Sequence, residues 1–288
     1  MNNKWIKSLL SLIAVILLHS EAHSQILSGI VVNSKTKEPL EYVSIGVIDS
    51  NFGATTDESG QFNFNIGETE KYAKVRFSMI GFEAQIFLVE MLIDKDLMVE
   101  LVEKPLEIEE VIITPLTERR IGANGFSRLS GWSGWGGYVT RKGFEMGLIV
   151  DLGETPKLIK DINIYIHRQA FDTTVLRLHI RSMDNEEVSE ELLKENILIN
   201  VTNESGWVKS DLSPYRIYLS GKVGVTIEWL KSRGINKDRA MKINDRMQES
   251  YILFKNEKKQ VGLYRWGTEA TWIINNEKSP SLYLTVLE

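Results

Sequence analysis

The sequence contains no cysteine among its 288 residues and only six prolines. Without cysteine there can be no disulfide bond, no thiolate nucleophile and no cysteine-based zinc site. A lipoprotein anchor is not expected either, because it requires a cysteine directly after a signal peptide. Stability therefore has to come from burial of apolar side chains, and the chain is long enough for this and for two domains.

The sequence also lacks an apolar run long enough to span a membrane. The run Leu9–Leu18 is shorter than the roughly 18 residues that a span requires. It follows Lys4 and Lys7, and it precedes the small residues of Ala22-His23-Ser24. This order of charge, apolar core and small residues predicts a signal peptide over residues 1–24. A buried N-terminal helix is the alternative, and these flanks do not favour it.

Neither sign of charge predominates. The chain has 34 basic and 39 acidic residues, and removal of the signal peptide leaves 32 and 38. A mildly acidic chain of mixed charge has no electrostatic footprint for nucleic acid or anionic lipid. Nucleic acid is therefore not an expected partner.

Short alternating apolar runs fill residues 25–102. Val43, Ile45 and Val47 alternate with small residues, and Asp57-Glu58-Ser59-Gly60 has the composition of a turn. Runs of this kind, closed by turn residues at short intervals, predict a small all-β domain.

This block closely resembles the carboxypeptidase regulatory-like domain, a prealbumin-like β-sandwich of bacterial envelope proteins. The resemblance implies a fold and a cellular location, the periplasm or the periplasmic face of the outer membrane. It does not imply a reaction, since this domain is the accessory part of metallocarboxypeptidases and not their zinc-bearing catalytic domain.

Residues 103–137 are predicted to link two domains. The first part, Pro105–Pro115, has a short β-branched run between two prolines, which is typical of an edge strand or a crossing segment. The second part contains six glycines between Gly122 and Gly137, and glycine at this density breaks regular structure.

Strand-like runs return at Tyr138 and continue to residue 288. Segments such as Ile162–His167, Leu176–Arg181 and Val223–Trp229 are similar to the jelly-roll sandwiches appended to secreted bacterial proteins. The predicted fold class is therefore all-β, with two β-sandwiches in series. The first is the prealbumin-like module at 25–102 and the second is a jelly-roll-like domain at 138–288. Two polar segments fit less well: 186–196 is interpreted as a loop or single turn, and 231–250 as an insertion with helical propensity.

Two histidines suggest a polar face on the second domain. In Ile162–His167 the isoleucines share one face, so Tyr165 and His167 share the other. In the next strand Arg177, His179 and Arg181 lie opposite the leucines. If these strands pair as a hairpin, the five polar side chains form one surface for an anion or a sugar. The alternative is a solvated or loop-covered sheet face without a ligand.

Aromatic residues offer a second candidate site. Trp132, Trp135 and Tyr138 lie in the glycine-rich segment, where exposed rings could stack on sugar faces. The alternative is that these rings fill the seam between the two domains. Trp207 and Trp229 lie within or beside predicted strands, so core packing is expected for both.

No catalytic residue is predicted. The sequence has no Gly-x-Ser-x-Gly elbow, no phosphate-binding loop and no HExxH pair. Ser133 lies among glycines, but a strand–turn–helix context is missing. Distant loops could still assemble a carboxylate pair without leaving a sequence pattern.

No metal site is predicted. A zinc site at His167 and His179 would lack further ligands at recognisable spacing, and the neighbouring arginines would repel the ion. No cofactor is expected apart from a possible structural calcium, for which the candidate ligands in predicted turns are Asp151, Asp172, Asp184 and Asn185.

These observations predict an exported, non-catalytic envelope protein that acts as a binding or assembly module. The expected partners are other envelope proteins or glycans, and open sheet edges would offer surfaces to which a partner can add a strand. The alternative is a carbohydrate-binding protein that uses aromatic loops of the second sandwich. A hydrolase is the more remote alternative.

Overall fold

A computed structural model describes residues 25–93, 95–104, 117–126, 131–136, 143–243 and 246–288. The predicted signal peptide, the run Pro105–Pro115 and Tyr138 lie outside these residues. The described chain is almost entirely β-structure, as its composition and alternation predict. Among the residues described, no helix has both the length and the apolar character to cross a membrane.

The first part of the chain forms a small sandwich. Its elements are β1 (Gln25–Asn33), β2 (Ser44–Val47), β3 (Gly53–Thr55), β4 (Gln61–Gly67), β5 (Lys74–Ser78), β6 (Gln85–Leu88), the single helical turn α1 (Val89–Leu92) and β7 (Asp96–Leu101).

These strands make two sheets, in the orders β4-β1-β7 and β3-β2-β5-β6. The pair β1–β7 is parallel and the other pairs are antiparallel. The alternating apolar residues of the sequence meet between the sheets, where Leu27, Val31 and Ile45 are buried. Phe62 packs edge-to-face on Phe77 with ring centroids 5.5 Å apart. The pattern of period two therefore produces the core directly.

The second part contains the remaining strands. They are β8 (Glu118–Gly122), β9 (Trp132–Gly136), β10 (Phe144–Asp151), β11 (Lys157–Gln169), β12 (Phe171–Asp184), β13 (Glu187–Glu191), β14 (Ile197–Val201), β15 (Gly206–Asp211), β16 (Tyr218–Leu219), β17 (Lys222–Ile235), β18 (Met241–Ile243), β19 (Arg246–Gln248), β20 (Tyr251–Lys258), β21 (Gly262–Trp266), β22 (Ile273–Asn275), β23 (Lys278–Pro280) and β24 (Leu282–Leu287), with 3-10 turns at Ser213–Tyr215 and Lys237–Arg239.

Two large sheets face each other in this second sandwich. The seven-stranded sheet has the order β13-β12-β17-β10-β21-β22, with β14 also paired to β12. The eight-stranded sheet has the order β23-β20-β11-β24-β8, and it gains β15 and β16 beside β11 and β9 beside β20. Ile164 of β11 and Leu178 of β12 are fully buried in the shared core.

The glycine-rich part of the predicted linker belongs to the second sandwich. Strand β8 pairs with β24, and β9 pairs with β20. The linker prediction is therefore wrong for this part. Gly134 shows the reason, because a Cβ there would lie 2.2 Å from the carbonyl oxygen of Ile252. Glycine here permits close approach of two strands and does not break the structure.

The two ambiguous segments also form strands. Within 186–196, predicted as a loop or single turn, β13 extends the seven-stranded sheet beyond β12. Within 231–250, β17 continues to Ile235, and β18 and β19 form a small hairpin. In both cases pairing with a neighbouring strand overrides local helix propensity.

The two sandwiches are in direct contact. Ile80, in the loop after β5, packs into the core of the second sandwich. The backbone N–H of Asp49 donates to the carbonyl oxygen of Glu269 at 3.2 Å. The carboxylate of Glu58 accepts hydrogen bonds from Lys231 and Arg233. Apolar and polar contacts thus join the sandwiches into one packed unit.

Candidate functional site

Aromatic rings lie side by side on the outer face of the eight-stranded sheet. Tyr165 of β11 stands opposite Trp207 of β15 in the strand register. Asn163, two residues earlier on β11, stands opposite Tyr283 of β24. Because β11 buries its isoleucines in the core, alternation directs Tyr165 to the outer face.

Ring contacts connect these side chains into a group that we call the aromatic row: Phe126, Tyr165, Trp207 and Tyr283. The Tyr165 and Trp207 rings pack edge-to-face at 5.2 Å, and Trp207 and Tyr283 do so at 5.0 Å. Phe126 lies 4.4 Å from Tyr165. Trp207 remains 36% exposed and Phe126 40% exposed. The row therefore presents rigid apolar surface to solvent.

A polar pocket of about 370 Å³ adjoins the aromatic row. Its lining residues are Glu118, Arg120, Asp161, Asn163, Lys209, Tyr283 and Thr285. Asp161 is buried, and its carboxylate accepts from the Asn163 amide at 2.5 Å and pairs with the Lys209 ammonium at 2.9 Å. The Arg120 guanidinium lies over the Tyr283 ring, 5.4 Å from its centroid.

The Asp161–Lys209 ion pair joins a buried carboxylate to an exposed ammonium group. The hydrogen bond to Asp161 raises the pKa of Lys209, so the ammonium form is favoured. The pocket thus combines a carboxylate, an amide, a hydroxyl and an ammonium beside flat rings. Such a set can hydrogen-bond hydroxyl groups while apolar C–H faces rest on the aromatic row.

Trp135, predicted as a ligand-binding ring or a seam ring, is a core residue. It is 2% exposed and stacks on Trp229, with ring centroids 6.0 Å apart. Phe254 packs edge-on against it at 5.3 Å. The prediction of a binding role is wrong for Trp135 because β9 is a sheet strand whose alternate side chains enter the core.

Trp132 lies at the other end of β9 and faces away from the core. It is 39% exposed and stands opposite Lys255 in the register. Within the described part of the chain it makes no ring contact with the aromatic row. Tyr138, the third member of this predicted site, lies outside the described residues.

The predicted hairpin of the two histidine strands does not form. Strand β11 belongs to the eight-stranded sheet and β12 to the seven-stranded sheet. The chain crosses from one sheet to the other at the buried Ala170. His167 and His179 therefore lie on different sheets. The apolar faces of β11 and β12 meet across the core, and the two strands do not lie side by side.

His167 is half-buried on the eight-stranded sheet, which also carries Tyr165. Burial lowers the pKa of His167, and the nearby cations Lys255 and Arg168 lower it further. The neutral form of the imidazole is therefore favoured near pH 7.

Arg177, His179 and Arg181 share one face of β12, as alternation predicts, but that face is not solvated. Their exposed fractions are 1%, 5% and 9%. The first sandwich and β13 cover them. Together with the surrounding ionic residues they make a buried group that we call the charge network: Glu145, Arg177, His179, Arg181, Glu191, Glu228 and Arg265.

His179 stands between two carboxylates of this network. Its Nδ1 lies 2.6 Å from Glu191 Oε2, and its Nε2 lies 3.0 Å from Glu228 Oε2. Burial and Arg181 lower the pKa of His179, but Glu145 and Glu191 outweigh them, so that its pKa is raised. A raised pKa favours the imidazolium form, in which both ring nitrogens donate. Arg181 Nη2 lies 3.0 Å from Nδ1, so that two donors are close together. The Glu191 carboxylate lies near both groups and offsets their repulsion.

Glu145 is the central anion of the network. Arg181 Nη1 donates to its Oε2 at 2.7 Å, and the Thr226 hydroxyl donates to the same oxygen at 2.8 Å. Arg265 donates from Nε to Oε1 at 3.0 Å. Burial opposes ionisation, yet the two guanidinium groups hold the pKa of Glu145 well below its usual range. Trp272 lies against both arginines, 5.3 and 4.7 Å from their guanidinium carbons.

The network also contains three groups that could act as metal donors. One ligand atom each from Glu145, His179 and Glu228 lies within 4.8 Å of the others. However, these carboxylates already accept from Arg181, Arg265 and His179. Guanidinium and imidazolium groups thus occupy the positions at which a metal ion would neutralise the carboxylates.

The calcium candidates are not all in one place. Asp172 lies near the start of β12, and Asp184 ends the same strand. Twelve residues of strand separate them by about 40 Å. Asp151 ends β10, where its carboxylate accepts from the Gly153 N–H at 2.9 Å. A structural calcium therefore remains a prediction without a shared site for these residues.

Sequence reasoning missed Trp207, which was assigned to the core. The signal that could have found it is the pattern of β15, where Trp207, Lys209 and Asp211 alternate with half-buried residues. Residues two positions apart in a strand share one face of the sheet. The charged Lys209 therefore indicates that Trp207 lies on the solvent side. The expectation of core packing was correct for Trp229.

Comparisons with known proteins bear on the first sandwich. Residues 27–113 match the family model described as "CarboxypepD_reg-like domain". No curated protein matches the chain. Among solved structures, one titled "Structure of infectious bursal disease virus Gx strain" is 12% identical with a TM-score of 0.21. That match covers 91% of this chain and 63% of the other, which is too distant to support an argument about fold or function.

The family match agrees with the two-sheet architecture of β1–β7 and with the buried core between Leu27 and Leu101. The second sandwich, which carries the aromatic row, lies beyond the matched residues. The protein therefore contains a carboxypeptidase regulatory-like domain as the first of its two β-structured parts.

Proposed function

We propose that this protein is an exported, non-catalytic binding protein whose second sandwich binds carbohydrate at the aromatic row and its polar pocket. The observation that carries the proposal is the exposed Trp207 ring, fixed beside the Asp161–Asn163–Lys209 hydrogen-bonded group. Sugar rings have apolar C–H faces and hydroxyl edges, so a flat ring beside fixed polar groups complements both.

Preorganisation supports this proposal. Tyr165 and Tyr283 pack edge-to-face against Trp207 and limit its rotation. Asp161 is held by two partners and is already withdrawn from bulk water. A ligand would therefore lose little free energy to ordering of these side chains.

The ionic pairing in the pocket supports a non-catalytic role. Asp161 is paired with Lys209, and Glu118 with Lys160. A glycosidase requires one carboxyl group with a raised pKa to act as the acid. Both carboxylates of the pocket are instead engaged in ion pairs.

Export is part of the same proposal. It rests on the signal-peptide pattern of residues 1–24 and on the family match of the module that follows. We place the protein in the periplasm or at the periplasmic face of the outer membrane, where it would meet glycans or envelope proteins.

The test is calorimetric titration of residues 25–288 with a panel of neutral oligosaccharides. Trp207→Ala should reduce the affinity for any bound glycan by about fivefold to thirtyfold, because a stacked ring contributes on the order of 1–2 kcal/mol. Trp132→Ala is the matched control, since this tryptophan is equally exposed but has no contact with the row. Saturable binding that depends on Trp132 and not on Trp207 would refute the proposed site. Absence of binding across the panel would refute the carbohydrate proposal.

A second candidate function, assembly by strand addition, is favoured by the edge strand β6. Among the described residues β6 pairs only with β5, and its Ile86 is 52% exposed. An envelope partner could extend this sheet. Ile86→Pro should then abolish a cross-link between the purified protein and such a partner, whereas Met98→Pro, on the edge strand β7 of the other sheet, should retain it.

A further inference from the structure

A large cleft lies between the two sandwiches, away from the aromatic row. It has a volume of about 810 Å³. The first sandwich contributes Ser44, Arg76 and the loop around Ile80, and the second contributes β12 and Trp272. Clefts of roughly 300–1,000 Å³ between domains are common sites for small ligands.

Cationic side chains predominate in the lining of this cleft. They are Arg76, Lys104, Arg177, Arg181, Lys194 and Arg265, and the carboxylates that also line it are Glu190, Glu191 and Glu269. Glu145 and Glu228 balance part of this charge from beneath the lining, but they are almost fully buried. The six cations still outnumber these five carboxylates, so the charge around the cleft is positive.

Several of these cations are not saturated by the protein. The only partner of the Arg76 guanidinium in the described chain is Glu269, at a long 3.4 Å. The Lys104 ammonium makes no hydrogen bond or ion pair with any described residue. Arg177 Nε is buried without an acceptor, although the residue is 1% exposed. A buried donor without an acceptor is unfavourable unless a ligand or water supplies one.

We infer that this interdomain cleft binds a small polar ligand that carries a carboxylate or phosphate group, held by Arg76 and Lys104 from the first sandwich and by the unsatisfied Nε of Arg177 from the second. Guanidinium groups bind both kinds of oxyanion through charge-assisted, often bidentate hydrogen bonds. Because the cations come from both sandwiches, the ligand also strengthens the contact between them.

The geometry favours an oxyanion over a neutral sugar here. The Trp272 ring packs against the guanidinium groups of Arg181 and Arg265, and cations outnumber carboxylates among the lining side chains. The cleft therefore differs in chemistry from the aromatic row, and the two sites can be tested separately.

The experiment is calorimetric titration of residues 25–288 with glucuronate, inorganic phosphate and glucose at low ionic strength. The double variant Arg76→Gln, Lys104→Gln should weaken anion binding by about tenfold or more. The control double variant Lys37→Gln, Arg119→Gln removes the same charge from exposed positions elsewhere and should leave it unchanged. Glucose has the ring of glucuronate without the carboxylate, so it should not compete with the anions for the cleft.

Binding of glucuronate alone identifies a carboxylate ligand, and binding of phosphate alone identifies a phosphate ligand. Either result supports the inference if the binding is weakened in the Arg76→Gln, Lys104→Gln variant. Absence of binding for both anions overturns it, as does equal affinity in the two double variants. Trp207→Ala should leave anion binding intact, so failure here and failure of the carbohydrate proposal can be told apart.

Discussion

Arg177 of the second sandwich donates from Nη2 to the backbone carbonyl oxygen of Tyr42 in the first, and from Nη1 to the Ser44 hydroxyl at 3.1 Å. The same guanidinium lies 3.5 Å from Glu228. One buried side chain thus connects the charge network to the carboxypeptidase regulatory-like domain, and the stability of the two parts should be linked through it.

Replacing this arginine should destabilise the protein strongly. Arg177→Gln leaves Glu228 as a buried carboxylate with less compensation and removes the contact to Tyr42. We expect the free energy of unfolding to fall by about 3–5 kcal/mol in denaturant titrations. Arg119→Gln, an exposed arginine paired with Glu288, should change it by less than about 1 kcal/mol. A loss below about 1 kcal/mol for Arg177→Gln would contradict this account.

His179 should make the stability depend on pH. Its pKa is raised in the folded state, because the carboxylates of Glu145 and Glu191 outweigh burial and Arg181. The stabilisation is therefore complete below the unfolded pKa of about 6.5 and is lost as the pH rises through the folded pKa.

The free energy of unfolding is measured for the wild type and for His179→Gln from about pH 5.5 upward, in steps of about half a pH unit. The quantity of interest is the wild-type value minus the variant value. We expect this difference to decrease above about pH 6.5. Glu191→Gln removes the partner of Nδ1 and should move the decrease to lower pH. A difference that rises with pH would show that His179 is neutral in the fold, and a difference that does not change would show that folding does not shift its pKa; either result would contradict this account.

Substitutions of Trp135 and Trp132 should differ in their effect on the stability of the protein. Trp135→Ala removes a ring packed between Trp229 and Phe254, so we expect a loss of about 3–5 kcal/mol in the free energy of unfolding. Trp132→Ala, at an exposed position of the same strand, should lose less than about 1 kcal/mol. Similar losses for the two variants would contradict the assignment of opposite faces.

Gly134 should tolerate no side chain. In Gly134→Ala the new Cβ would lie 2.2 Å from Ile252 O and 2.8 Å from Leu253 Cα, so β9 and β20 would have to separate. We expect a loss of about 1–3 kcal/mol in thermal or denaturant unfolding. Gly125→Ala is the control, since its nearest neighbour is the flexible end of Glu257 at 3.4 Å. An unchanged midpoint for Gly134→Ala would show that the strands are not in close contact.

Local patterns predicted much of the fold. Alternation placed Ile162 and Ile164 of β11, and Leu176 and Leu178 of β12, on inward faces, and all four are fully buried. Yet the same alternation could not show that β11 and β12 belong to opposite sheets. A period of two specifies which face is apolar, but two such faces can lie side by side or meet across a core.

The candidate site was less accessible to sequence reasoning. Tyr165 was correctly placed on an outer face, but its neighbour Trp207 comes from a strand about 40 residues later. Arg177 and His179 were interpreted as parts of a polar surface because nothing local indicates that the first sandwich covers them. Only the register between distant strands and the contact between domains reveal these positions.

The sequence by itself determined the all-β class, the regulatory-like first domain and the inward face of each main strand, because these depend on residues close together in the chain. The tertiary structure alone decided that Trp135 is buried, that Trp207 is exposed in the aromatic row, and that Arg177 contacts Tyr42. Those properties depend on strand pairing and domain docking, which bring together residues that no local pattern relates.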